Sequence, residues 1–159
     1  MKMKILILFS ALTASAQNTT TIYLIRHCEK AAPNNNPDLS EEGRLRAQRW
    51  AKYFEEVKFD VYYSSDYNRT YQTCEAISAD RKSEIILRKP EHTDLKQLLR
   101  EHAGKTILLV GHSNTIPKQL NALLGARKYD DIDEEEYGNL YIIKADGDLI
   151  SDEILHPEL

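Results

Sequence analysis

Two histidines and two arginines stand in this sequence where short apolar runs stop. Thr21-Ile22-Tyr23-Leu24-Ile25 ends at Arg26-His27, Thr106-Ile107-Leu108-Leu109-Val110 ends at Gly111-His112, and Phe59-Asp60-Val61-Tyr62-Tyr63 ends in Ser64-Ser65 shortly before Arg69. Runs of five residues rich in β-branched and aromatic side chains read as buried strands. A basic pair cannot stay in such a layer without an anionic partner, so Arg26 and His27 belong at the mouth of their strand. If the three strands are parallel, their carboxyl ends open onto one crevice and all four side chains meet there. Guanidinium forks bind phosphoryl oxygens and stabilise charge on a transferring group, and a neutral imidazole is a nucleophile. Together they suit phosphoryl chemistry. A metal site is the competing assignment, with Glu29 or Cys28 as further ligands, but neighbouring guanidinium groups disfavour a divalent cation. No metal and no cofactor is expected.

The elements that must position these groups can be read along the chain. Ala31 to Pro37, with two prolines and three asparagines, is a loop. Ser40 caps a helix whose first turn carries Glu41 and Glu42, and Ala47, Trp50, Ala51 and Phe54 place one apolar face on it as far as about Glu56. A helix carrying Arg69 follows the second strand, Glu84 to Leu87 is a third strand, and a helix from Asp94 buries Leu95, Leu98 and Leu99. The run Thr106 to Val110 is apolar enough for a central strand covered on both faces. A helix from Ile116 to Leu124 takes Pro117 in its first turn and Gly125 at its end. Tyr129 to Glu136 is an acidic loop. Leu140 to Ile143 and Leu149 to Leu155 form a hairpin turning at Ala145-Asp146-Gly147. The expected fold class is α/β, three layers with a mostly parallel central sheet.

At 159 residues, 42% hydrophobic and 29% charged, the chain fits one globular domain. Residues 1–16 stand apart. Met1-Lys2-Met3-Lys4 is basic, Ile5 to Ala14 is apolar, and Ala14-Ser15-Ala16 has the small-x-small form of a cleavage site, so a signal peptide is expected with Gln17 as the mature start. The apolar run is shorter than the roughly 20 residues of a spanning anchor. That makes the expected location periplasmic or secreted, with the membrane met only during export. The formal net charge of −4, made more negative by loss of Lys2 and Lys4, argues against a nucleic-acid partner. Cys28 and Cys74 are too few for a disulfide scaffold; they either pair with each other or serve as two separate small apolar side chains.

The motifs have a further resemblance. Arg26-His27-Cys28-Glu29 resembles the R-H-x-E signature of the histidine phosphatase superfamily, the phosphoglycerate-mutase-like enzymes. Leu39-Ser40-Glu41-Glu42-Gly43 is similar to its L-T-x-x-G helix start, Ser64-Ser65 with Arg69-Thr70 and Thr73 to its S-S-x-x-x-R-T-x-x-T segment, and Gly111-His112-Ser113 to its G-H-S. The resemblance implies a phosphoglycerate-mutase-like fold and a metal-independent phosphatase in which His27 becomes phosphohistidine, with Arg26, Arg69 and His112 around the phosphate. It also points to a carboxylate after the third strand as general acid, Glu91 or else Asp94, and to a polar side chain such as Asn34 at the phosphate. Glu135 and Glu136 of the acidic loop are further candidates to reach the crevice. The absence of a long lid-forming insertion favours hydrolysis over mutase chemistry. The resemblance is greatest to the short branch that includes bacterial phosphohistidine phosphatases, so a phosphorylated small molecule or a phosphoprotein is the expected substrate. The alternative is a phosphate-binding module with weak or lost catalysis.

Overall fold

A computed structural model describes residues 19–32, 34–79 and 83–159. The signal peptide expected over residues 1–16 lies outside them. Strand β1 (Thr20–Arg26) leads through a loop to helix α1 (Glu41–Tyr53), then β2 (Val61–Ser64), α2 (Asn68–Ser78) and β3 (Ile85–Leu87). A single 3₁₀ turn (Pro90–His92) precedes α3 (Leu95–Glu101), β4 (Thr106–Gly111), α4 (Thr115–Leu124) and the hairpin β5 (Leu140–Asp146) and β6 (Leu149–Leu155). The six strands form one sheet in the order β3-β2-β4-β1-β5-β6. The first four are mutually parallel, and β5 and β6 are antiparallel additions at one edge. No helix among the described residues is long and apolar enough to cross a membrane.

Alternation along the strands produces two cores. Ile22 and Leu24 of β1, Ile107 and Leu109 of β4, and Tyr141 and Ile143 of β5 face one side, where Leu95, Leu98, Ile116 and Leu120 of α3 and α4 cover them. Ile25, Tyr62, Leu108, Val110 and Ile142 face the other, under Ala47, Trp50 and Phe54 of the α1 region and Cys74 and Ile77 of α2. The expected three layers are therefore present. Because the chain leaves β1 for one face and β4 for the other, a crevice opens at the carboxyl ends of these adjacent strands.

Local chemistry sets the ends of the elements. Ser40 accepts a hydrogen bond from the Gly43 amide at 3.0 Å and so caps α1. This helix stops at Tyr53, earlier than the sequence pattern suggests, because Phe54 leaves helical geometry while staying buried, stacked on Trp50 with ring centroids 5.3 Å apart. The hairpin turn falls later than expected. Ala145 and Asp146 still pair with Ile150 and Leu149, and the reversal is made by Gly147, whose φ of 58° is left-handed, with Asp148. Cys28 and Cys74 are free, buried thiols in the core under α1 and α2. Burial raises both to about 12, which keeps them protonated and unreactive.

Gly43 fixes how α1 meets the segment that follows β1. A Cβ at this position would lie 2.1 Å from the Glu29 carbonyl oxygen, which itself accepts the Ser40 amide at 2.9 Å. Glu29 is also paired through its carboxylate to Arg46 of α1 at 2.7 Å. Gly43→Ala is therefore expected to destabilise the protein by about 1–3 kcal/mol, read as a lower urea midpoint with unchanged slope. An unshifted midpoint would mean the helix can retreat without cost.

Candidate functional site

His27 is the first residue after β1, and its amide donates to the Gly111 carbonyl at 2.9 Å, extending the ladder by one step. Arg26 lies opposite Gly111 in register, so His27 and His112 leave adjacent strands side by side. Their ring centroids are 5.4 Å apart. Arg69 is the second residue of α2, close beyond the end of β2. A cleft of about 650 Å³ is lined by Arg26, His27, Arg69, His112 and Glu91, among others. Of the residues singled out from the sequence, the structure thus brings together Arg26, His27, Arg69, His112 and Glu91. Asn34 is not among those lining the cleft; its side-chain oxygen accepts the Asn36 amide at 2.8 Å, and the loop is tied to α2 through Asn36 and Asn68. Asp94 caps α3 by accepting from the Lys96 amide.

The His27 ring is held by local bonds. Its Nδ1 lies 2.7 Å from the carbonyl oxygen of Cys28, so Nδ1 carries the proton and donates, leaving the Nε2 lone pair free. The carbonyl is itself fixed, because the Cys28 amide donates at 3.1 Å to Thr73 Oγ1, which donates at 2.7 Å to the Arg69 carbonyl. Thr73 therefore links the helix that presents Arg69 to the residue that orients His27.

The second histidine is held by a relay. His112 Nε2 lies 2.7 Å from Ser65 Oγ, which lies 2.8 Å from Thr70 Oγ1, and the Thr70 hydroxyl reaches the carbonyls of Ser65 and Tyr67. Nε2 thus donates into a chain of hydroxyls, and Nδ1 turns towards Arg69, whose Nη2 is 3.4 Å away. Protonating Nδ1 there would place two cations in contact, which disfavours the charged ring. Burial and the nearby charges push His27 down to about 3, and burial with Arg69 and Arg26 pushes His112 down to about 4. Both rings are neutral at pH 7.

Arg26 is 2% exposed, and its partner is the acidic loop. Its Nη1 donates to the carbonyls of Asp133 at 2.8 Å, Glu134 at 3.0 Å and Glu136 at 2.9 Å, and its Nη2 donates to the Glu134 carboxylate at 3.1 Å. Sequence reasoning placed Glu135 and Glu136 near the crevice, but the acidic-loop residues that line it are Asp131 and, among the glutamates, Glu134. In a run of three glutamates only the loop's tertiary path selects one. Tyr137 and Tyr67 were also missed. Each ring lies against a guanidinium, Tyr137 at 4.2 Å from Arg26 and Tyr67 at 4.5 Å from Arg69, a contact that no local pattern announces. The Nε atoms of Arg26 and Arg69 are buried with no hydrogen-bond acceptor among the described residues. Among those residues no group of three or more His, Cys, Asp and Glu side chains is arranged to hold a metal ion.

The neutral rings make stability pH-dependent. Unfolded, each histidine titrates near 6.5; folded, His27 titrates near 3 and His112 near 4, so acid favours the unfolded chain. Their contribution is complete above pH 6.5 and is lost as pH falls through the folded values, at up to about 1.4 kcal/mol per pH unit for each ring. Thermal melts of wild type should therefore fall steeply between pH 6.5 and 4, and His27→Gln should show a visibly shallower fall. Equal slopes would mean that His27 is not buried as the neutral ring.

The model of the histidine phosphatase superfamily (branch 1) matches residues 22–90. No curated protein matches the chain in sequence. Among solved structures, Bacillus stearothermophilus YhfR superposes with a TM-score of 0.69 at 19% identity, covering 83% of this chain and 94% of that one. The protein histidine phosphatase SixA complexed with tungstate gives 0.66 at 14% identity, covering 84% and 94%. A mycobacterial glucosyl-3-phosphoglycerate phosphatase complexed with VO3 gives 0.67 at 14% identity, covering 86% and 97%. At these identities the likeness to solved structures is one of fold. The chain is thus similar in sequence to the histidine phosphatase superfamily over its motif-bearing residues 22–90, and over most of its length it shares the fold of these solved structures.

Proposed function

We propose that the protein is a metal-independent phosphatase that hydrolyses phosphate monoesters through a phosphohistidine at His27. The observation that carries this reading is the fixed His27 tautomer, with Nδ1 bonded to the Cys28 carbonyl and Nε2 free in a cleft lined by Arg26, Arg69 and His112. The unpartnered Nε donors of both arginines support an anion as the occupant. Tungstate and vanadate, found with two proteins of this fold, are phosphate-like oxyanions.

In the reaction, His27 Nε2 attacks phosphorus and the bond from phosphorus to the leaving oxygen breaks. That oxygen takes a proton from the carboxylic acid of Glu91, which lines the same cleft. Water then attacks the phosphohistidine, the bond from phosphorus to Nε2 breaks, and the Glu91 carboxylate accepts the proton released by the water. Arg26, Arg69 and His112 hold the phosphoryl oxygens throughout, and positive charge on the guanidinium groups is matched to charge developing there. The substrate is a phosphorylated small molecule or a phosphoprotein. Location in the periplasm or outside the cell belongs to the same proposal and is supported by the leader pattern of residues 1–16 alone.

The test is phosphate release from an aryl and an alkyl phosphate, with and without chelator. Wild type should turn over both regardless of chelator, and His27→Ala should abolish both. Glu91→Gln should slow the alkyl ester by about 10²–10⁴-fold while sparing the aryl ester, whose leaving group departs without a proton. Equal losses on both esters would remove Glu91 as the acid. Phosphate binding without turnover in wild type would identify a binding module instead.

A further inference from the structure

We propose that Glu134 is a displaceable internal anion that competes with the substrate's phosphate for Arg26, making it a residue that sets affinity at the site. The proposal rests on the reading of the cleft as a phosphate seat. Its carboxylate reaches into the cleft with one oxygen 3.1 Å from Arg26 Nη2 and the other 2.9 Å from the hydroxyl of Ser113, beside His27, Arg69 and His112. A carboxylate there meets the donors that a phosphoryl group would meet.

Three features favour displacement over permanent occupancy. First, the side-on edge of a guanidinium, Nε with one Nη, is suited to two oxygens at once, yet Glu134 uses only Nη2 and leaves Arg26 Nε buried without an acceptor. A tetrahedral dianion can use both. Second, the Glu134 side chain is 68% exposed while that of Arg26 is 2% exposed, so the carboxylate can turn out to water and the guanidinium cannot follow. Third, the loop does not depend on this carboxylate. Arg26 Nη1 holds the carbonyls of Asp133, Glu134 and Glu136, Ile132 is buried, and its amide donates to the Ser113 carbonyl at 3.0 Å. The Glu134 side chain can therefore leave while its backbone stays moored.

The consequence is a cost on binding any phosphate, substrate or product, because the tethered carboxylate must first be expelled. Glu135 supplies the control, being an exposed neighbour in the same loop that does not line the cleft. Calorimetric titration of inorganic phosphate into the full chain should give a Kd about 3- to 10-fold lower for Glu134→Gln than for wild type, with Glu134→Ala in the same direction and Glu135→Gln close to wild type. Steady-state turnover of an aryl phosphate by Glu134→Gln should show a lower KM without a higher kcat. If wild type binds phosphate and neither Glu134 variant binds it more tightly, the proposal fails alone. An equal gain in Glu135→Gln would reduce the effect to general surface charge and overturn it. So would a kcat loss in Glu134→Gln confined to alkyl esters, which would make Glu134 a proton donor. If no variant and not wild type binds phosphate, the phosphate seat itself is refuted, and this proposal with it.

Discussion

The 2.7 Å bond from His27 Nδ1 to the Cys28 carbonyl orients the ring on which the cleft depends, and Nε2 offers a lone pair to the cleft only while the imidazole is uncharged. Two guanidinium groups share the cleft, so a protonated ring, itself 4% exposed, would face like charges with little water against it. Burial and repulsion act in the same direction, and the ring remains neutral with a lone pair on Nε2. The rest of the structure is arranged around keeping that carbonyl in place. Thr73 holds the Cys28 amide, Gly43 allows α1 to approach the Glu29 backbone, and the Glu29 carboxylate pairs with Arg46 on the same helix. Two helices on one face of the sheet therefore fix one imidazole at its edge.

Arg26 shows how a buried charge is accommodated in the same place. Its Nη1 is used entirely on backbone carbonyls of a loop more than a hundred residues away in sequence. Hydrogen bonds to a charged donor are roughly twice as strong as neutral ones, so the guanidinium orders the acidic loop as well as charging the cleft. Tyr137 covers it on one side, and Tyr67 does the same for Arg69 while meeting His112 edge-on at 5.1 Å. The arginines are held in place before any ligand arrives, and little side-chain freedom remains to be lost on binding.

The order of the sheet explains why the histidines meet. Strands β1 and β4 are neighbours although two strands and three helices separate them in the chain. Their parallel pairing in the register Arg26 to Gly111 brings the two succeeding residues together. The crossovers depart to opposite faces, and the gap between them is the cleft.

Much of this was written locally. Alternating and continuous apolar runs specify strands, Ser40 and Asp94 announce helix starts, and a basic residue at the end of each of two apolar runs marks a strand mouth, because charge cannot be left in a covered layer without partners. These signals act over a few residues, so the α/β class and the set His27, Arg26, Arg69 and His112 were legible. The partners of those residues were not. Which glutamate of the acidic loop enters the cleft, that Asn34 is occupied within its own loop, and that Cys28 and Cys74 stay as separate thiols all depend on the path of the chain through space. The sequence by itself determined which groups are available for chemistry. Tertiary structure decided which of them share a dielectric boundary and touch, because contacts between residues a hundred positions apart follow from strand order and burial, and no local pattern encodes them.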